Sequence, residues 1–137
     1  MNTREKLLGL LWEVLQSRGY NVCTVEELPS AVGLRGFPMA VVGEPELVVG
    51  NVVESNAITY DVSLKMLIQR QKPADKSSPS LAIIEQDALW VAERVAESEE
   101  VVGLTLRELA PIVGGVTHAG DVAMAMSLRV ELFRVTR

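Results

Sequence analysis

The chain has 137 residues, with 13 Lys+Arg against 18 Asp+Glu, one His and one Cys, and a formal net charge of -5. That length suits a single domain spanning residues 1–137, and the acidic balance speaks against a primary nucleic-acid binder, which concentrates basic charge to replace phosphate counterions. The longest uncharged run, Leu109 to Gly120, contains Pro111, Gly114 and Gly115 and falls well short of the roughly 20 apolar residues of a spanning helix.

Arg4 and Lys6 before the apolar run Leu7 to Trp12 imitate a signal peptide only briefly, because Glu5 and Glu13 interrupt the pattern and no small-residue cleavage site follows. Cys23 has no second cysteine to pair with, so a reducing compartment is the expectation. Mean hydropathy is nonetheless positive, at +0.22. An acidic chain this apolar is expected to bury part of its surface against a partner.

In chain order, Leu7, Leu8, Leu11, Trp12 and Leu15 recur at helical spacing. Asn2 with Glu5 three residues later resembles a capping box, and Gly19 is placed to end the helix. Asn21 to Val25 allows a short strand, and Glu26 to Gly36 reads as a loop punctuated by Pro29, Gly33 and Gly36. Phe37 to Val42 reads as a strand, Gly43-Glu44-Pro45-Glu46 as a turn, and Leu47 to Glu54 as a strand with Gly50-Asn51 as a bulge or tight turn.

The clearest strand follows. Ile58, Tyr60, Val62, Leu64, Met66 and Ile68 alternate with polar residues, and Leu67 is the one exception. Residues 72–80 have the composition of an exposed linker. Ser78 then caps a second helix with Pro79 at its first position, and Leu81, Ile84, Ala88, Val91 and Val95 trace its apolar face. Its other side is acidic: Glu85, Asp87, Glu93, Glu97, Glu99 and Glu100 against Arg94. A strand over Val101 to Leu109, a Pro/Gly-rich connection through Gly120 and a long last strand complete the chain. In that last strand Val122, Met124, Met126, Leu128, Val130 and Leu132 oppose Asp121, Ser127, Arg129 and Glu131.

The pattern predicts an α+β fold of order α-β-β-β-α-β-β: a mainly antiparallel, curled sheet with two helices packed on one face and the other face partly solvated. Ala57 to Gln71, if wholly extended, would run about 50 Å at ~3.3 Å per residue. A compact domain of this length is only roughly 37 Å across, so the sheet must curl or a hairpin must protrude.

Residues that carry chemistry are sparse. His118 is the only imidazole, which excludes a His-His metal site. Its setting in residues 114–121, Gly-Gly-Val-Thr-His-Ala-Gly-Asp, reads as an inter-strand connection. A small-molecule-binding or enzymatic loop is the alternative, since glycines permit close backbone approach, but the Gly-Lys-Ser/Thr ending of a phosphate loop is missing. Glu44 with Glu46, and Glu99 with Glu100, read as solvated charge rather than as an acid/base pair. Trp12 and Trp90 read as helix-packing residues, and Met124 with Met126 as core. No catalytic residue, metal or cofactor is assigned.

Charge is segregated along the chain. No Lys or Arg occurs from Gly36 to Leu64, where Glu44, Glu46, Glu54 and Asp61 lie, while Lys65, Arg70, Lys72 and Lys76 cluster together and Arg129, Arg134 and Arg137 close the sequence. Separate acidic and basic regions suit head-to-tail self-association.

Several features taken in order resemble the tail terminator or tail-completion (minor tail, head-tail joining) proteins of long-tailed bacteriophages. They are the N-terminal amphipathic helix, the Phe37-Pro38-Met39-Ala40-Val41-Val42 strand, the long strand with Tyr60-Asp61-Val62-Ser63-Leu64, the Pro/Ser-led helix, and the Gly-Asp-Val turn into Arg129-Val130-Glu131-Leu132-Phe133-Arg134. The resemblance covers nearly the whole chain as an order of elements. It implies a non-catalytic virion protein, present in the host or lysogen cytoplasm during assembly. Such a protein forms a ring with itself, usually hexameric, that stops polymerisation of the major tail tube protein and faces the head-proximal connector. It further implies an acidic lumen through which DNA passes without specific binding. Glu44, Glu46, Glu54 and Asp61, or the acidic helix, are the candidates for that lumen. Arg70, Lys72, Lys76, Arg129 and Arg134 are the candidates for subunit contacts, together with the 72–80 linker.

Overall fold

The computed structural model describes residues 2–28, 36–48, 56–69, 79–113, 116 and 121–134. Helix α1 (Thr3–Ser17) opens with the expected cap: the Asn2 side chain accepts from the Glu5 N–H at 2.8 Å and donates back to the Glu5 carboxylate at 3.3 Å. It closes in a Schellman motif around Gly19, whose φ is +91°. The Gly19 N–H reaches the Gln16 carbonyl at 2.9 Å and the Tyr20 N–H the Leu15 carbonyl at 3.1 Å. A residue with a side chain would be strained at that φ.

The strands are β1 (Asn21–Thr24), β2 (Met39–Val42), β3 (Glu46–Leu47), β4 (Ala57–Gln69), β5 (Val101–Ile112) and β6 (Asp121–Phe133), and α2 (Pro79–Ala96) precedes β5. The sheet runs β1-β2-β4-β6-β5, with β3 also on β4. Its spine is the β4–β6 pair, antiparallel without interruption from Ala57↔Phe133 to Gln69↔Asp121. In that register Val62 faces Leu128, Leu64 faces Met126 and Met66 faces Met124. The two alternating apolar rows therefore merge into one surface.

Both helices cover this surface. Leu7, Leu11 and Leu15 of α1 and Ile84, Ala88, Val91 and Val95 of α2 are buried against it, each fully buried aliphatic side chain contributing about 1.5–3 kcal/mol. The opposite face has a smaller apolar cluster at one end only, made of Cys23, Met39, Val41, Leu67 and Ala123 with Leu28, Phe37, Ile112 and Val116 packed on it. Leu67 breaks the alternation of β4 because it belongs to this second cluster. β2 is buried throughout for the same reason, with apolar contacts on both faces.

The architecture is α+β as expected, with differences in its strands and at the start of α2. The element order is α-β-β-β-β-α-β-β, because the Asn21–Thr24 segment is a true strand. It runs parallel to β2, pairing Asn21 with Met39 and Thr24 with Val42, so the sheet is mixed, although its other pairings are antiparallel. A parallel neighbour requires a long connection rather than a tight turn, which is the role of the segment between β1 and β2. The sheet is not closed on itself. Ser80 is buried inside α2 rather than in an exposed linker; residues 70–78 lie outside the described ones, as does most of the expected strand from Leu47 to Glu54. β5 runs past Leu109 to Ile112.

Gly43 continues the β2–β4 pairing one residue beyond Val42, close against β4. Its N–H donates to the Ser63 carbonyl at 2.8 Å, and a Cβ there would lie 2.9 Å from the same oxygen. Only glycine allows this approach without displacement.

Candidate functional site

Away from the second apolar cluster, no described element packs on the sheet face opposite the helices: Ser63, Lys65, Thr105, Arg107 and Glu108 are exposed, and Asp61, Ala125, Ser127, Arg129 and Glu131 half-buried. Cross-strand register lines up a row of charges on it. Glu46 of β3 is opposite Asp61 of β4, and Asp61 is opposite Arg129 of β6. Arg129 donates through Nε to Asp61 Oδ1 at 2.8 Å and through Nη2 to Oδ2 at 2.9 Å, a two-pronged guanidinium-carboxylate pair. Arg107 of β5 adds a third bond to Oδ2 at 3.2 Å. The hydrogen bonds from Arg129, with the charges of both arginines, hold the Asp61 carboxyl below the usual aspartate range, and the same contact raises Arg129.

Fold position thus joins two residues that the sequence placed in separate acidic and basic regions. Of the other expected site residues, Glu44 is ion-paired to Arg4 of α1, Glu46 is exposed on β3, and the Arg134 N–H extends the sheet by donating to the Asn56 carbonyl at 2.7 Å. Glu54, Arg70, Lys72 and Lys76 lie outside the described residues. Arg107 was not among the expected site residues. Its signal lies in spacing: Val101, Leu104, Leu106 and Leu109 step by three, two and three, and each step of three coincides with a register shift against β6, at Val101/Gly103 and Leu106/Glu108. The second bulge re-aims Arg107 toward Asp61.

β5 is also one edge strand of the sheet, β1 being at the other end. Backbone bonds alternate along β6, Phe133 N–H going to Glu100 and Arg134 N–H to Asn56. Counting back, Met124 bonds toward β4, so its β5 partner Pro111 has its nitrogen on the outer edge, where no donor is needed. Two bulges and a proline in one edge strand make it a poor template for adding another strand.

On the helix layer the acidic side of α2 is divided. Asp87 is held by Arg18 Nε at 2.9 Å and by the Tyr20 hydroxyl at 2.7 Å, tying α2 to the segment after α1. Burial, then the Asp87 hydrogen bond, push the Tyr20 hydroxyl well above the ordinary tyrosine range. Glu97 pairs with Arg94 and Glu100 with Lys6. Among the described residues Glu85, Glu93 and Glu99 have no ion-pair partner, and all three are exposed. Trp90 is half-buried between the Arg18 and Arg94 guanidiniums, 4.8 and 5.1 Å from its ring centre.

In the connection between β5 and β6, the Asp121 carboxylate accepts from the Val116 N–H at 2.8 Å; His118 lies outside the described residues. Among the described residues no group of three His, Cys, Asp or Glu is placed to hold a metal ion, and no helix is long and apolar enough to cross a membrane. No family model matches the chain, and a search of curated proteins returns no match.

Proposed function

We propose that this chain is a structural virion protein that forms a ring at the end of a phage tail tube, terminates tube polymerisation and joins the tail to the head connector. The observation that carries this reading is the inequality of the two sheet faces. One is sealed by both helices; among the described residues nothing covers much of the other, which is lined by short side chains such as Ser63, Ala125 and Ser127, and its central carboxylate, Asp61, is paired with Arg129 and Arg107. Pairing at Asp61 lowers the penalty of burying that part of the surface against a neighbouring subunit, and Lys65, Glu108 and Glu131, which have no ion pair among the described residues, are left for opposite charges of that neighbour. The irregular β5 edge favours packing through this face over strand addition.

The same bookkeeping chooses between the two candidate linings. Asp61 and Glu44 are paired with arginines within the chain, leaving Glu46 as the unpaired described residue of that group, whereas Glu85 and Glu93 on α2 and Glu99 just beyond it all keep their charge for solvent. The outer side of α2 is therefore the better lining for a lumen that repels DNA. Deleting the gene from its phage or prophage is expected to give overlong or headless tails in electron micrographs, and normal virions would overturn the proposal.

A further inference from the structure

A cleft of ≈ 340 Å³ opens beside the Arg18–Asp87–Tyr20 contact, lined by those three residues and by Phe37, Pro38, Ile68, Gln69 and Ile83. Its two ends differ in chemistry. Phe37, Pro38, Ile68 and Ile83 make an apolar floor and rim, and Ile83 is 39% exposed although it is a large aliphatic residue. At the other end Asp87 has both oxygens occupied, Oδ1 by Arg18 Nε and Oδ2 by the Tyr20 hydroxyl, so the carboxylate is not available to a cation.

Arg18 is available. Its Nε is spent on Asp87 and its Cζ lies over the Trp90 ring, 4.8 Å from the centre, while its two terminal nitrogens make no hydrogen bond among the described residues. A guanidinium fixed at Nε and held over an indole has lost part of its rotamer freedom in advance, and its two terminal nitrogens can offer paired N–H groups to the two oxygens of a carboxylate. The Gln69 side chain stands at the rim as a further polar group.

We propose that this cleft docks a short segment of a partner protein in which an acidic residue lies next to a large apolar one. The carboxylate binds end-on to the terminal nitrogens of Arg18, and the apolar side chain lies on Phe37, Pro38, Ile68 and Ile83. A free small acid fits less well, because pockets for small molecules enclose most of the ligand, whereas Ile83 and the Arg18 side chain leave this cleft open, at 39% and 34% exposure. The site is independent of the ring, and either proposal stands if the other fails.

The test is amide chemical-shift mapping on the full isotopically labelled chain with three probes: the capped hexapeptide Ser-Gly-Leu-Glu-Gly-Ser, the same peptide with Gln for Glu, and 4-methylpentanoate. The Leu-Glu peptide is expected to shift Tyr20, Gln69 and Ile83 saturably. The Gln peptide should bind at least about tenfold more weakly, as loss of a charged hydrogen-bonded pair requires. Arg18→Lys keeps the charge but loses the paired donors and should weaken binding similarly. Ile83→Asp, at an exposed position that leaves Arg18 and Asp87 in place, should abolish binding without unfolding the chain. Absence of a saturable shift up to about 10 mM peptide, equal binding of the Gln peptide, equal binding of 4-methylpentanoate, or an Ile83→Asp variant that still binds would each overturn the proposal.

Discussion

The two faces of the sheet are made from the same strands by the same period-two rule, yet they have different physical characters. On the helix side, Tyr60, Val62, Leu64, Met66 and their β6 partners are nearly inaccessible, and stability there comes from apolar area removed from water. On the bare side, the intervening residues Asp61, Ser63, Lys65, Ser127 and Arg129 meet water, and order comes from cross-strand pairing of charges. The lesson is that one strand can carry a core on one face and a row of paired charges on the other. Substitutions on the two sides should therefore have unlike consequences.

The largest difference is expected at two neighbouring residues of β6. Leu128→Ala leaves a cavity under the helices and should lower the unfolding free energy by about 2–5 kcal/mol in urea denaturation. Ser127→Ala, on the bare face, should change it by no more than ~0.5 kcal/mol; a loss as large as that of Leu128→Ala would mean that the bare face is a second core. Asp87→Ala probes the helix layer itself and should cost about 1.5–3 kcal/mol, since it removes one charged partner from both Arg18 and Tyr20. A double-mutant cycle with Arg18→Ala would separate their coupling from simple loss of packing.

Gly43→Ala tests the close approach at the end of the β2–β4 pairing. The added methyl meets the Ser63 carbonyl, and a loss of about 1–3 kcal/mol is expected as in other overpacked sites; no loss would mean that the β2–β3 connection gives way freely. The smallest effect belongs to the charge row. Asp61 has a lowered pKa in the folded chain, so its contribution is present above the unfolded aspartate pKa and is lost as the pH falls through the lower folded value. Carboxyl NMR titration should give an Asp61 midpoint below that of an ordinary aspartate, and Arg129→Gln should move it upward. Because the pair is solvent-screened, the accompanying change in stability at neutral pH should be the least of the set.

Much of the fold was legible in residue order. The Asn2–Glu5 cap, the Gly19 terminus, the Pro79 helix start and the rows of β4 and β6 rest on local chemistry or on a strict period, and each is present in the structure. The parallel β1 was harder to read, because four residues hold too few alternations to show a period, and nothing local says which neighbour such a strand takes. The bare-face site was half legible: Asp61 and Arg129 were both singled out, but as members of separate regions. Arg107 and the Arg18–Asp87–Tyr20 contact were not anticipated. The first depends on a bulge, and the second joins residues 67 and 69 positions apart in sequence.

By itself, then, the amino-acid sequence determined which side chains share a strand face, where the helices start and stop, and that a surplus of apolar residues had to be buried, since these follow from backbone geometry and transfer from water. Only the tertiary structure decided which charges cancel and which remain. Coulombic pairing depends on distance through space, and the register of β4 on β6 sets that distance for Asp61 and Arg129, while the helices' docking sets it for Arg18 and Asp87.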